Sequence, residues 1–150
     1  MKQKPALPCL CANIRRASRV LTQIYDEAMR PFGLRMTQIS ILHALSLTGE
    51  KLQGDLAELL ALDSTTLTRS VHLLRKSGLV KVRKGHDQRE RWLSLSKSGE
   101  AELARILPDW EAVQKKVRST LGSERWNSLV QLSTEVANLP VEPAKGTDYD

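Results

Sequence analysis

The sequence predicts a mainly α-helical fold with one small β-hairpin, and three observations carry that prediction. Apolar residues recur at helical spacing along most of the chain, first as Ile14, Ala17, Leu21, Ile24 and Ala28. Between Val80 and Leu95 the pattern changes to alternation, with Val80 and Val82 against Lys81 and Arg83, then Leu93 and Leu95 against Trp92, Ser94 and Ser96. Aromatic residues make up only 4% of the 150 residues, so the core is built from Leu, Val, Ile and Ala, a composition that favours helix over strand.

The elements follow in order. A first helix covers about Pro8–Arg30 and is stopped by Pro31 and Gly33. A second covers Met36–Leu47 and is closed by Gly49, and a third, short one covers Gly54–Leu62. A fourth covers Ser64–Ser77, with Asp63 or Ser64 as N-cap and Gly78 as its stop. The hairpin strands then flank a polar tip, Gly85 to Glu90. Ser96 caps a fifth helix with a stripe of Leu103, Ile106, Trp110, Val113, Val117 and Leu121, and Pro108 is expected to kink it. Gly122 and Ser123 break the chain before a last helix, Glu124–Leu139. The segment 140–150 has no periodicity and is expected to be a flexible tail. The chain is thus a single domain, 1–150, with long helical segments at about 8–32 and 100–139 around a compact unit at about 34–99.

Charge is distributed unevenly. The net charge is +6. From Arg69 to Arg91 there are eight basic and two acidic residues, so this stretch holds the whole excess. A polyanionic partner such as double-stranded DNA fits that concentration. No apolar run approaches ~20 residues, which argues against a membrane span. The N-terminal stretch is broken by Pro5 and Pro8 and ends in Arg15 and Arg16, so it is not read as a targeting segment. Two cysteines without such a segment fit a reducing, cytoplasmic setting. Cys9 and Cys11 form a C-x-C with no second ligand pair at zinc spacing, so neither a metal nor another cofactor is expected. A thiol enzyme acting through Cys11 has no base placed by sequence beside it.

The fourth helix is the most informative. On a helical wheel Leu67, Val71 and Leu74 share one face, and Thr65, Thr68, Arg69, His72 and Lys76 share the opposite one. Ser and Thr disfavour helix interiors, so this hydroxyl-rich face needs a reason. Short side chains let a helix approach base edges and phosphates in a major groove, where hydroxyls donate and Arg forks onto guanine. An ordinary solvated face would show the same wheel; the localised charge and the hairpin that follows separate the two. In that hairpin Arg83, Lys84, Arg89 and Arg91 surround the tip and can straddle phosphates or enter a minor groove. Asp87 opposes that charge and makes sense as the residue holding Arg89 or the tip backbone in place. A short helix, a tight turn, a polar-faced helix and a basic hairpin form the layout of a winged helix-turn-helix. A non-specific architectural DNA binder would use the same basic stretch without reading bases.

The run DLAELLALDSTTLTRSVHLLRKSGLVKVRKGHDQRERWLSLSKSGEAEL resembles the MarR family of bacterial transcription regulators. The motifs are the LA..L.LD.TTLTR stretch, GLV, a D-x-R wing and L-x-L-S-x-x-G, in that order. The resemblance implies a homodimer, with the segments 8–32 and 100–139 as dimerisation helices and two winged units on a palindromic operator. It implies repression, released by a small aromatic or anionic effector bound between the first two helices and the winged unit. Ser64, Thr65, Thr68 and Arg69 match the recognition-helix contacts, and Asp87 and Arg89 match the wing pair, with Arg89 in the minor groove. Arg35 departs from the family, which often has a capping Thr there. Family members that sense organic hydroperoxides place a reactive Cys near the start of the first helix and a Tyr fourteen residues on, the spacing of Cys11 and Tyr25. Further tyrosines of those sensors are matched here by Arg15 and Met36. Cys11 is therefore a candidate redox sensor through a sulfenate bonded by Thr22 and Tyr25, and simple packing of both cysteines is the alternative.

Overall fold

The computed structural model describes residues 5–140. The tail expected beyond Pro140 lies outside the described residues. The chain forms two compact units, one up to Gln114 and one from Lys115 onward.

Helix α1 spans Leu10–Met29 and runs into a short 3-10 turn at Arg30–Phe32. Pro31 suits the first positions of that turn, where its missing N–H costs nothing. Gly33 ends it at φ 68°, in the left-handed region that glycine enters without a Cβ clash. Helix α2, Met36–Thr48, is apolar nearly all round: Ile39, Ile41, Leu42, Ala44 and Leu45 are buried, so it forms the centre of the core.

Its N-terminus answers the question raised by Arg35. Arg35 stands at the N-cap position, and its side chain has no acceptor to offer the helix N–H groups. Two other residues supply acceptors. Gln38 Oε1 accepts from Arg35 N at 2.8 Å, and Asp26 Oδ1 of α1 accepts from Met36 N at 2.6 Å. Asp26 also faces the Arg35 guanidinium at 3.4 Å. The cap has moved from the local residue to the preceding helix.

Strand β1, Lys51–Leu52, leads into helix α3, Gln53–Leu59. The expectation of a third helix reaching Leu62 is corrected: Ala61 takes φ 48°, and Leu62 N turns back to Ala57 O at 2.9 Å. Helix α4 spans Ser64–Lys76, with Leu67, Val71 and Leu74 buried as the wheel predicts. Asp63 is its N-cap, accepting from Thr66 N at 2.8 Å, and the Thr66 hydroxyl donates to the other carboxylate oxygen at 2.6 Å. These bonds hold the Asp63 carboxyl below its ordinary pKa.

Strands β2, Val80–Lys84, and β3, Arg91–Leu95, form the hairpin with Val82 opposite Leu93. The sheet has a third strand that alternation could not reveal. β1 pairs with the outer side of β3, Leu52 opposite Trp92, giving the order β1-β3-β2. Leu93, at the middle of the sheet, is fully buried.

Helix α5, Lys97–Leu121, starts at Ser96, whose hydroxyl accepts from Gly99 N at 2.9 Å and donates to Gly78 O at 2.5 Å. It continues as α-helix through Pro108, where the sequence predicts a kink. In the second unit the end of α5 is followed by Gly122 at φ 84° and helix α6, Ser123–Ala137.

Candidate nucleic-acid interface

The polar face of α4 is built by default. Once Leu67, Val71 and Leu74 enter the core, helical geometry turns Ser64, Thr65, Thr68, Arg69, His72 and Lys76 outward, and all six are exposed. Five of them, Ser64, Thr65, Thr68, Arg69 and His72, line one shallow depression. A second groove of about 390 Å³ lies between this helix and the hairpin. Gln53, Thr68, His72, Arg75 and Val82 line it together with Arg89 and Arg91 of the hairpin. The fold therefore brings the recognition-helix residues and the wing arginines to a common groove, although they are about twenty residues apart in sequence.

The wing tip is tightly organised. Asp87 Oδ1 accepts from Arg89 N at 2.8 Å, and Asp87 O accepts from Glu90 N at 3.0 Å, so Asp87 shapes the turn that presents Arg89. Lys84 Nζ reaches Gln88 Oε1 at 3.2 Å across the tip. Two arginines expected to face DNA are instead engaged within the wing. Arg91 Nη1 donates to Gln88 O at 2.6 Å and to Glu90 O at 3.0 Å. Arg83 makes a two-pronged pair with Glu50, its Nε at 2.8 Å from Oε1, and stacks 4.9 Å from the Trp92 ring centroid. Both prongs of the guanidinium fork are taken up by one carboxylate, and a charge so compensated attracts phosphate weakly.

The Glu50–Arg83 pair also shifts both groups: the guanidinium holds the Glu50 carboxyl below its ordinary pKa, and the carboxylate raises Arg83. A depressed carboxylate adds stability that is complete above its unfolded-state pKa and is lost as pH falls through the lower folded-state value. Glu50 and Asp63 therefore hold the wing root and the start of α4 at neutral pH and loosen them only in acid. Among the described residues no ion pair involves Arg69, Arg75, Lys76, Lys84 or Arg89. The sequence did not single out Glu50, Gln53 or Arg75; Arg75 could have been found on the wheel, whereas Glu50 and Gln53 carry no local signal.

Cys9 and Cys11 are both exposed, at the N-cap and second position of α1. Tyr25 lies on the same unbroken helix, fourteen residues on, which is about 21 Å along the axis. Within one chain Cys11 and Tyr25 are therefore too far apart to bond. No group of His, Cys, Asp and Glu among the described residues is arranged to hold a metal ion. No helix among them is long and apolar enough to cross a membrane.

A separate polar feature lies between α2 and α5. His43 meets Trp110 edge-on, with ring centroids 4.9 Å apart. Burial lowers the His43 pKa. Trp110 Nε1 and Gln114 Oε1 are buried without a hydrogen-bond partner, an arrangement that costs stability unless something completes it.

Comparison with known proteins decides the family. A family model described as MarR family matches residues 32–90, the span from the end of α1 to the wing tip. An uncharacterised HTH-type transcriptional regulator of Bacillus subtilis, YwoH, is 31% identical over 97 residues, covering 65% of this chain and 71% of that protein. The chain belongs to the MarR family. The M. tuberculosis transcriptional regulator MosR, solved in complex with DNA, is 36% identical with a TM-score of 0.71, covering 87% of this chain and 99% of that one. Bordetella bronchiseptica BpsR, whose DNA binding is regulated by 6-hydroxynicotinic acid, shares the fold at a TM-score of 0.76 and 21% identity, covering 83% and 96%. The MarR-family chain is thus a winged-helix transcription regulator that binds DNA, and not an enzyme.

Proposed function

We propose that this MarR-family protein is a cytoplasmic homodimeric repressor that binds a palindromic operator and is released by a small aromatic or anionic effector. The observation that carries the proposal is the groove shared by Thr68 and His72 of α4 and Arg89 of the wing. A helix with an exposed hydroxyl face beside an exposed arginine matches the division between major-groove reading and minor-groove anchoring. In this assignment Ser64, Thr65, Thr68 and Arg69 meet base edges and nearby phosphates, and His72, Lys76 and Lys84 meet the backbone. Asp87 holds Arg89 toward the minor groove, and Arg83 and Arg91 brace the wing.

Dimerisation is supported by apolar surface left open in one chain. On α1, Leu10 is 70% exposed, and Ile14, Val20 and Ile24 are exposed with it. On α6, Leu132 is 57% exposed, beside Leu129, Val130 and Val136. Burying these against a second copy is favourable at roughly 25 cal/mol per Å². It also sets two recognition helices at a fixed separation, and reading both half-sites requires ~34 Å. An effector that changes this separation releases DNA. The unpartnered indole N–H of Trp110 and carbonyl of Gln114, beside His43, support an effector with both an acceptor and a donor. The regulation of BpsR by a hydroxylated aromatic acid points the same way.

A second reading has its own observation. Cys11 is exposed at the start of α1. One experiment separates the two. The purified protein–operator complex is titrated with small aromatic carboxylic acids and, separately, with hydrogen peroxide, while its mass reports the number of chains per duplex. Release by an acid, from a complex of two chains per duplex, is the expected result. Release by peroxide that disappears in Cys11→Ser would move the sensing role to the thiol, and a complex indifferent to both would remove the responsive part of the proposal.

A further inference from the structure

The residue that deepens this reading is Gln53, the first residue of α3. Its side-chain Nε2 donates to Thr68 Oγ1 at 2.9 Å, the side-chain bond that ties α3 to the exposed face of α4. A hydroxyl has one proton to donate and two lone pairs with which to accept. Several other helical hydroxyls of this chain commit the proton to their own helix. Thr48, Thr120, Ser128 and Thr134 each donate to the carbonyl four residues back, at 2.8–3.0 Å. Thr68, also inside a helix, makes no such bond among the described residues and accepts from Gln53 instead. One of its lone pairs is occupied, and its proton has no acceptor among the described residues.

Gln53 is itself held from the wing side. The two residues before it, Lys51 and Leu52, pair with Leu93 and Trp92 of β3, and Glu50 grips Arg83 of β2. The four residues Glu50 to Gln53 thus form a strap from both strands of the wing to the recognition helix. Gln53 also lines the groove that holds Thr68 and Arg89.

We propose that Gln53 is a specificity-determining positioning residue: by occupying a Thr68 lone pair it makes Thr68 a donor, so that Thr68 selects a base-edge acceptor in the operator. The chemistry selected is guanine N7 or O6, adenine N7 or thymine O4, and the donor groups of cytosine N4 and adenine N6 are disfavoured. The inference rests on the reading of α4 as the base-contacting helix, and its test distinguishes failure of the two. Gln53 is partly exposed and outside the buried core, so its substitution leaves the fold intact.

The test is selection from a pool of random-sequence duplexes by four proteins: the natural chain, Thr68→Val, Gln53→Met and Gln53→Glu, each checked for an unchanged melting midpoint. Thr68→Val should flatten one base-pair position of the selected motif, and Gln53→Met should flatten the same position by roughly 2- to 10-fold per half-site, the worth of one hydrogen bond. Gln53→Glu should do more than flatten it. A carboxylate only accepts, so the Thr68 proton turns inward and the hydroxyl offers the DNA a lone pair. The preferred base should then move toward one that presents a donor, a change that a merely structural role for residue 53 would not produce. Flattening by Thr68→Val with an unaltered profile in both Gln53 variants would overturn the inference while leaving Thr68 as a base contact. An unaltered profile in Thr68→Val would overturn the base-reading role of Thr68, and the role of Gln53 with it.

Discussion

Arg69→Ala lowers affinity for the operator by roughly 30-fold to about 20,000-fold while leaving the melting midpoint unchanged. The side chain is exposed on the N-terminal half of α4 and makes no ion pair among the described residues, so the folded protein is little affected by its removal. On the operator its guanidinium can make a forked bond with a guanine, worth ~1–3 kcal/mol of discrimination. In a homodimer the substitution removes that bond from both half-sites, or about 2–6 kcal/mol in all, which converts to the range given. Equilibrium binding to the operator and to an unrelated duplex, at one salt concentration, checks it. If Arg69 reads a base, the ratio of the two affinities falls; if it only touches a phosphate, both affinities weaken alike and the salt dependence flattens by about two ions, one per half-site.

Gly99→Ala destabilises the winged unit by about 3 kcal/mol, near the upper end for overpacking, and lowers the melting midpoint by roughly 6–12 °C. Gly99 is buried in the first turn of α5, where its N–H donates to the Ser96 hydroxyl. A Cβ there would penetrate the Leu79 carbonyl oxygen and sit 3.0 Å from its carbon and 3.2 Å from Leu95 Cδ2. The obstacle is backbone, and it cannot swing aside as a long side chain would. That same carbonyl accepts from Ser96 N at 3.0 Å, and the Ser96 hydroxyl binds Gly78 O, so moving it disturbs the entry to β2 and the cap of α5 together. Thermal unfolding followed by far-ultraviolet circular dichroism checks the shift. A midpoint within a degree of the natural chain would mean that this junction is looser than the packing around Gly99 implies.

The helices were legible because their cause is periodic. Leu67, Val71 and Leu74 had to share a face, and the same spacing put Thr65, Thr68 and Arg69 on the opposite one. The hairpin was legible from Val80, Val82, Leu93 and Leu95 alternating with polar neighbours. Features set by partners distant in sequence were not. Strand β1 is two residues long, too short for any period, and exists because β3 offers an open edge to Lys51 and Leu52. Asp26 caps α2 from ten residues upstream, and nothing in the local stretch around Arg35 could announce it. Charge counting overstated the cationic surface for a related reason. Arg83 counts as one basic residue in the sequence, yet Glu50, thirty-three positions earlier, compensates it in the fold. Arg91 likewise closes on the carbonyls of Gln88 and Glu90.

The most direct test of sequence-specific DNA binding is a competition assay at near-physiological salt. It compares DNA from upstream of the protein's own gene with coding DNA of equal length and records the affinity for each. A preference of about a thousandfold or more for the upstream fragment is the predicted result for a regulator that reads an operator there. Equal affinity for both fragments, falling alike as salt rises, would contradict an operator at that locus and favour a protein that grips only the DNA backbone.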